Sequence, residues 1–415
     1  MIRIKQYKYT GVCGLLLLLC VQESKAQNGK GINSLYSAFG VGDIESRDYS
    51  RNYGLGSAGI ARPSLFYMNE LNPASYSAIP KQNFMFDVSL RGTTVSYKGE
   101  NLSQNAGDVN LKRLAVGFKV NSRWGVSAGL TPYSTVDYKT LNQRFVEGTG
   151  QSVDAVTEGT GGINRVYISN GIRLTKNFSI GVSSAFLFGP INATETLGND
   201  TVSTQDRRYA YNVNFNTGLQ YQGRIKGWEI GLGATYRFKT DMRFQHTINV
   251  VNSNEQVLFK DDLGTQRFTL PQEYGGGLSV GKGNVTVVAD YKKQLWQGLN
   301  PGQTTYKLTD AERYAGGLEY SFKRHYYNGI VEGMVLQAGF SYNKSYLLVQ
   351  GQQIKDVAGT IGVSLPSRNG SLRYYLGVEV GQRGTTANNL IKENYVSAVF
   401  HFSLKDIWFI RRVYD

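Results

Sequence analysis

The few residues in this sequence that could carry out catalysis centre on one histidine. The chain has three histidines, His246, His325 and His401, and none shows the spacing of a metal-binding motif. Residues that alternate along a strand share a face, so His401 could pair with Ser397 or Ser403 for acyl hydrolysis. The simpler interpretation is a polar residue that lines an interior. No nucleophile elbow, phosphate-binding loop or calcium loop occurs. The sequence therefore predicts a protein that is not an enzyme and holds no cofactor or metal.

Five charged residues lie on strand faces that otherwise carry glycine and serine. We expect these faces, and His401, to point into an interior. An unpaired buried charge is costly, so the charges are expected to pair with one another or with a segment that fills the interior. The alternative is that they bind the head group of a substrate. The five residues are Arg237, Asp290, Glu319, Arg373 and Glu379.

Apolar residues alternate with small or polar ones from about Phe84 onward. Leu372–Val380, Val396–Leu404 and Phe178–Phe188 each have one large apolar face and one face of mainly glycine, serine or polar residues. A soluble sandwich also alternates, but a glycine-rich face suits a solvated exterior poorly. An apolar face toward lipid and a small, polar face toward a crowded lumen fit better. The pattern predicts an all-β fold, a transmembrane antiparallel β-barrel.

Fourteen candidate strands can be assigned between residues 82 and 405, although twelve or sixteen would fit the same pattern. Short links alternate with mostly longer, polar links along the chain. This alternation is typical of outer-membrane barrels, in which short turns face the periplasm and long loops face outward. An even number of strands then places both mature termini in the periplasm. The long links are predicted at 99–109, 139–161, 191–206, 251–270, 298–310, 347–352 and 384–391.

The first 26 residues have the features of a secretory signal peptide. Arg3, Lys5 and Lys8 precede a short apolar run, and small residues occupy positions 24 and 26. The alternative, a lipoprotein signal ending at Cys20, is disfavoured because Leu19 is not small. Both cysteines of the chain precede residue 27, so the mature protein would have none. Together with the predicted barrel, the signal peptide predicts export to a bacterial outer membrane.

The net charge is strongly positive but does not indicate a nucleic-acid partner. It is +14 for the whole chain and becomes +11 without the signal, which holds four basic residues and one acidic residue. The basic residues form no run, and no nucleic-acid-binding module is present. Those near the short turns could meet anionic outer-membrane lipid or lipopolysaccharide, although turns collect charge for the simple reason that they are exposed. These residues are Arg123, Lys176, Arg224, Lys226, Lys282, Lys323, Arg324 and Arg368.

Residues 27–80 do not alternate and precede the predicted barrel at 81–415. Glycine allows close packing of backbones, and Asn-Pro is a turn signal. The segment is either a disordered arm or a plug folded into the lumen, and the apolar cluster Leu65–Met68 favours the plug. The residues predicted to shape this hatch are Gly54, Gly56, Gly59, Asn72, Pro73 and Ala74.

The order of several motifs is similar to that of the FadL/TodX family of outer-membrane transport proteins. Gly54–Ala61 followed by Asn72–Ala74 resembles the N-terminal hatch of that family, and Val288–Tyr291 is a further point of similarity. The motif Gly381–Thr385 looks like the Bacteroidota branch. The resemblance implies a fourteen-stranded barrel with a hatch and passive uptake of hydrophobic molecules, with lateral exit through the wall. Relatives of this barrel also serve as secretion accessories.

Two functions therefore stay open. The leading prediction is an outer-membrane channel for passive uptake of hydrophobic or amphipathic small molecules. The alternative is a non-transporting accessory barrel of a secretion or outer-membrane assembly complex. The link 139–161 lacks the apolar helix expected of a fatty-acid binder, so the substrate class is open. Expected partners are outer-membrane lipid, the barrel-insertion machinery that reads the aromatic last strand, a hydrophobic small molecule, and envelope or secretion-complex proteins.

Overall fold

The computed structural model describes residues 34–100, 103–146, 151–198, 202–301, 305–326, 329–367 and 370–407. At 146, 151, 323–326 and 329–331 it describes the backbone alone. The predicted signal peptide, residues 1–26, and the aromatic and basic tail that begins at Trp408 lie outside these residues.

Extended backbone dominates the described residues because β-branched, aromatic and small residues alternate over most of the chain. The strands are β1 Asp43–Ile44, β2 Asn83–Lys98, β3 Ser103–Lys119, β4 Trp124–Val146, β5 Gln151–Arg173, β6 Phe178–Leu197, β7 Val202–Ile225, β8 Trp228–Arg237, β9 Thr240–Asn252, β10 Val257–Leu270, β11 Glu273–Lys282, β12 Val285–Gln294, β13 Tyr306–Leu308, β14 Ala311–Tyr326, β15 Gly329–Val349, β16 Gln352–Pro366, β17 Leu372–Arg383 and β18 Lys392–Ile407. Four short 3-10 helices are η1 Leu35–Ala38, η2 Arg51–Leu55, η3 Pro73–Ala78 and η4 Ala387–Asn389.

Successive strands from β2 onward pair antiparallel to form one sheet. The last strand, β18, pairs with β2 and closes the sheet, with Val396 opposite Thr94. Only short breaks divide β8 from β9, β10 from β11 and β13 from β14, so each of these pairs forms a single strand of the wall. Over the described residues the wall is a closed barrel of fourteen antiparallel strands. The predicted fold class and strand number are confirmed.

Side chains alternate between the outer surface of the barrel and its interior. Leu232, Phe340 and Phe400 point outward and are exposed, whereas Ser341 and His401, next to two of them, are buried. Exposed apolar side chains on the outer face of a closed sheet are what lipid requires. Among the described residues, no helix is long and apolar enough to cross a bilayer.

Most of the links predicted to be long loops are strands instead. β4 continues to Val146 and β5 begins at Gln151, so most of the predicted link 139–161 is a hairpin. The predicted link 251–270 contains all of β10, which pairs with β9. These strand ends extend past the apolar band, where both faces meet water and the apolar alternation disappears. The backbone ladder persists there without the pattern from which strands were predicted.

Residues 34–80, the N-terminal segment, lie against inward-facing side chains of the strands. The segment contains η1, η2 and η3 and pairs briefly with the wall where β1 meets β4. Most of its side chains between 48 and 61 are buried. The core of the molecule is therefore the contact between this segment and the inner face of the barrel.

Candidate functional site

The end of the N-terminal segment is a short helix seated on glycines of the wall. Asn72 begins η3 by accepting a hydrogen bond from the Ala74 N–H at 3.0 Å, and Pro73 occupies the first helical position. A methyl group on Gly181 would lie 2.3 Å from the Ala74 nitrogen, and one on Gly218 would lie 2.0 Å from Asn72 Oδ1. The segment can approach this closely only because the wall has no side chain at these positions.

A group of buried ion pairs joins the N-terminal segment to the wall. Arg51 donates to Glu319 at 2.9 Å and to Glu332 at 2.6 Å, and Arg62 also donates to Glu319. Arg373 completes the group 3.2 Å from Glu332. Charges in a low-dielectric interior are stable only when they are paired and hydrogen-bonded. The group therefore holds η2 in one position.

Two further carboxylates of the wall bind the same segment. Asp290 accepts hydrogen bonds from the backbone N–H groups of Gly59 and Ile60 at 2.6 and 2.9 Å. Glu379 accepts a hydrogen bond from the Arg47 guanidinium at 2.6 Å. These are charge-assisted bonds, which are shorter and stronger than neutral ones.

An apolar layer fills the barrel toward the end that carries the long strand extensions. Trp296 is fully buried and stacks on Tyr346 with the ring centres 4.5 Å apart. The Tyr346 hydroxyl donates to the carbonyl oxygen of Gly42 at 2.7 Å. From the N-terminal segment, Tyr36 and Val41 join this cluster. The segment thus contributes side chains to the apolar layer as well as to the ion pairs.

A polar cavity of about 190 Å³ adjoins the apolar layer. Its lining is dominated by charged side chains, including Glu45 and Lys112, which are 3.0 Å apart. Burial alone would raise the pKa of Glu45, but the charges of Lys112, Arg91 and Arg47 outweigh burial and lower the pKa to about 2. Glu45 is thus an anion at any physiological pH. A cavity of this kind suits water and ions better than a hydrocarbon.

His401 does contact a serine, but the arrangement is not that of a hydrolase. Its Nδ1 lies 2.8 Å from Ser89 Oγ, which donates its only proton to the Tyr49 carbonyl oxygen at 2.6 Å. The imidazole must then donate to Ser89 and cannot accept its proton. The pairing with Ser397 or Ser403 that hydrolysis would need is not formed among the described residues, because Ser403 donates to Asp87 and Ser397 accepts from Arg91. The simpler interpretation of a polar interior residue fits this environment. The described residues contain no group of acidic, histidine or cysteine side chains that could hold a metal ion.

The predicted interior residues divide into two sets in the structure. All three predicted carboxylates bind the N-terminal segment, whereas Arg237 and Arg373 pair with carboxylates of the wall. The sequence interpretation missed the partners on the segment, Arg47, Arg51 and Arg62. The sequence could have indicated these partners, because basic residues in a segment predicted to fill the lumen complement the acidic residues predicted to line it.

One stretch of the wall is incompletely paired. β3 and β4 pair only where Leu114–Lys119 faces Gly125–Leu130. Beyond Leu114, β3 pairs with β2 alone among the described residues. A second cavity of about 120 Å³ lies behind this seam, lined by Asp108 of β3 and Thr135 of β4 among others.

Solved outer-membrane channels share this architecture at low sequence identity. The toluene transporter TodX of Pseudomonas putida is 17% identical with a TM-score of 0.59, over 88% of this chain and 100% of that one. A FadL homologue of Pseudomonas aeruginosa is 11% identical with a TM-score of 0.60, over 88% and 99%. The CymD monoaromatic hydrocarbon channel is 13% identical with a TM-score of 0.57, over 89% and 99%. At these identities the similarity establishes the FadL-type barrel fold.

Sequence comparison identifies the family more directly than the fold does. No curated protein sequence matches the chain. The sequence model of the family described as BamG, however, matches residues 5–415, which is nearly the whole chain. The chain therefore belongs to the BamG family.

Proposed function

We propose that this protein is a non-conducting accessory barrel of an outer-membrane assembly complex. The observation that carries the proposal is the filled interior. The apolar layer around Trp296, the ion pairs around Glu319 and the glycine seat of η3 occupy successive regions of the lumen. A channel for hydrophobic molecules needs a continuous apolar path, and the cavity described above is lined mainly by charges.

The family name and the surface of the barrel support the same proposal. The name BamG favours an assembly-related role. The extension of β10 exposes Val257, Leu258 and Phe259 at a place where both faces of the strand meet solvent. Among the described residues, β10 pairs with β9 along one edge, and no strand pairs with its other edge, which the Asn300 side chain meets only at Thr269. A free edge with exposed apolar side chains is a site where an extended segment of a partner protein can add a strand.

The topology also supports an orientation for the complex. The strand extensions lie at the end opposite the predicted short turns, which correspond to the links 120–123, 174–177, 226–227 and 283–284, and such extensions face outward in outer-membrane barrels. We infer that β10 is presented to the cell exterior and that both termini are periplasmic. Lys282 lies 4.9 Å from the ring centre of Trp228 near the short-turn end, an arrangement suited to anionic headgroups at that interface.

Photo-crosslinking in the native outer membrane tests the accessory role. A photoreactive residue at Phe259 is expected to form one discrete protein adduct, identified by mass spectrometry as a subunit of the barrel-assembly complex. The same residue at Phe186, which is exposed on the outer face of the wall, is the matched control and should label lipid. An absence of protein adducts at Phe259 and at its neighbour Leu258 would contradict the proposal.

A second candidate is passive uptake of hydrophobic molecules. Its support is the seam where β3 and β4 do not pair with each other, although β1 pairs with β4 at Ser134 and Thr135, and the FadL/TodX resemblance, including the Bacteroidota-like motif at Gly381–Thr385. Vesicles containing the purified protein can be tested for uptake of radiolabelled toluene, with empty vesicles as the baseline. The accessory role predicts no uptake above that baseline. Saturable uptake that is lost when Ala115→Trp narrows the inner wall would favour the channel instead.

A further inference from the structure

The charges around the 190 Å³ cavity do not balance. Nine basic and seven acidic side chains line it. Seven of the nine cations each have a carboxylate of their own within 4 Å, for example Arg237 with Glu273 at 3.3 Å. The two that have no carboxylate within that distance among the described residues are Lys292 and Arg313. The two cations in excess over the lining carboxylates are therefore Lys292 and Arg313.

These two cations face each other across neighbouring strands. Lys292 of β12 is directly opposite Arg313 of β14 in the antiparallel register. Side chains in such pairs lie on one face about 5 Å apart at Cβ, and like charges there repel. Asp290 lies on the same face two residues before Lys292, and no cation lies within 4 Å of it among the described residues. Its Oδ2 accepts two backbone N–H groups, whereas its Oδ1 is buried without a hydrogen-bond partner.

Within the part of the chain that the structure describes, the guanidinium of Arg313 bonds directly to neutral acceptors only. It is 7% exposed, and its guanidinium donates to Gly56 O at 2.6 Å, Asn343 Oδ1 at 2.9 Å and Ser46 Oγ at 3.2 Å. All three acceptors are neutral. The Lys292 ammonium has no hydrogen-bond partner among the described residues, although its backbone pairs within the sheet. A protein holds two like charges this way at a considerable cost, which a bound counter-ion would remove.

We infer that the cavity binds a small, doubly charged oxyanion of the phosphate class between Lys292 and Arg313. The ammonium and the free guanidinium N–H groups supply charge-assisted donors. The cavity exceeds several times the roughly 30 Å³ that one water occupies in the liquid, so it admits such an ion together with water. The inference does not depend on whether the barrel conducts or serves a complex.

The seam between β3 and β4 offers the ion a route to this site. The 120 Å³ cavity behind the seam shares three ion pairs with the larger cavity, Arg47–Asp356, Lys112–Glu45 and Arg383–Asp43. These shared pairs form a polar, charge-balanced link between the cavity at the wall and the cavity that Lys292 lines. The phosphate could therefore enter as a free ion or as part of a lipid headgroup whose chains stay in the membrane.

Binding of inorganic phosphate to the purified protein in detergent, measured by isothermal titration calorimetry, tests the inference. Lys292→Gln should weaken phosphate binding at least about tenfold, because one of two charged hydrogen-bonding groups is lost. Lys293→Gln is the matched control, since the adjacent Lys293 pairs with Asp310 at 3.5 Å, and it should leave the affinity unchanged. Equal weakening by both variants would overturn the inference.

A charge-reversed variant gives a second, independent readout. Lys292→Glu should abolish phosphate binding and raise the Tm in phosphate-free buffer, because it supplies Arg313 with a carboxylate. A lower Tm would overturn the inference. Titration in nanodiscs with and without anionic phospholipid separates the two sources of phosphate. If Lys292→Gln binds phosphate more weakly than wild type only when the anionic lipid is present, the ligand is a lipid headgroup. If the two proteins bind equally in the presence of anionic lipid and of free phosphate, the site does not exist.

Discussion

At the scale of single residues, the interior is organised by carboxylates that each serve several partners. Glu319 accepts hydrogen bonds from Arg51, from Arg62 and, at 2.6 Å, from Gln337, and it is 2% exposed. Removing one member of such a group leaves two buried guanidinium groups short of a counter-charge. The loss is larger than the value of any one bond, because the remaining charges stay desolvated.

Glu319→Gln is therefore expected to lower the free energy of unfolding by about 3 kcal/mol. Urea unfolding in detergent, followed by tryptophan fluorescence, measures the change. Glu229→Gln is the matched control, because its ion pair with Arg224 is exposed on both sides and surface pairs contribute less than about 1 kcal/mol. Similar losses in the two variants would contradict the structural role assigned to Glu319.

The Glu45–Lys112 pair predicts a specific dependence of stability on pH. The folded-state pKa of Glu45 is lowered to about 2 from its ordinary value of 4.5, so ionised Glu45 stabilises the fold above pH 4.5. That contribution is lost as the pH falls from 4.5 toward 2. The difference in unfolding free energy between wild type and Glu45→Gln should be constant above pH 5 and shrink below it. A difference that grows on acidification would contradict the assignment.

At the scale of elements, the sequence predicts the part of each strand that lies in the apolar band. Alternation in Leu372–Val380 and Val396–Leu404 corresponds to β17 and β18 because lipid on one side and protein on the other impose it. The extensions of β4, β5 and β10 could not be predicted in this way. With water on both faces, burial imposes no alternation, and pairing with the neighbouring strand alone maintains the extended backbone.

The sequence also does not predict which residues of the N-terminal segment pair with the charged residues of the wall. The alternation of residue types predicts that Glu319 and Asp290 face the interior of the barrel, because successive side chains of a strand point to opposite faces of the sheet. Their partners, Arg51 and the backbone of Gly59, come from a segment without periodicity and are more than 200 positions away in the chain. Such contacts depend on how an irregular segment folds inside the barrel, and no local pattern encodes that.

The seat of η3 on the wall provides an element-scale prediction. Gly181→Ala would place a methyl group 2.3 Å from the Ala74 nitrogen, so the helix must move away from β6. We expect faster proteolysis of the N-terminal segment and a loss of about 1–3 kcal/mol in unfolding free energy. Gly276→Ala is the matched control, because a methyl group there meets no atom within 4 Å. Equal protease sensitivity of the two variants would argue against close packing at this seat.

At the scale of the whole molecule, the accessory role and the channel differ in whether the N-terminal segment must move. Ser77 of η3 and Ser179 of β6 have their hydroxyl oxygens 2.8 Å apart, close enough for a disulfide after substitution. Both cysteines of the chain, Cys13 and Cys20, lie in the predicted signal peptide, so a mature chain without residues 1–26 would offer the introduced pair no competing thiol. The double variant Ser77→Cys with Ser179→Cys can lock the segment to the wall.

The oxidised double variant should have a higher Tm than the reduced form, since the bridge restricts the unfolded chain. If the protein acts as a static barrel in a complex, the locked form should rescue cells that lack the chain as well as wild type does. Each single cysteine variant controls for loss of the serine hydroxyl. Loss of rescue in the oxidised form, recovered with a membrane-permeant reductant, would mean that the segment must leave its seat, and the static accessory role would then be wrong.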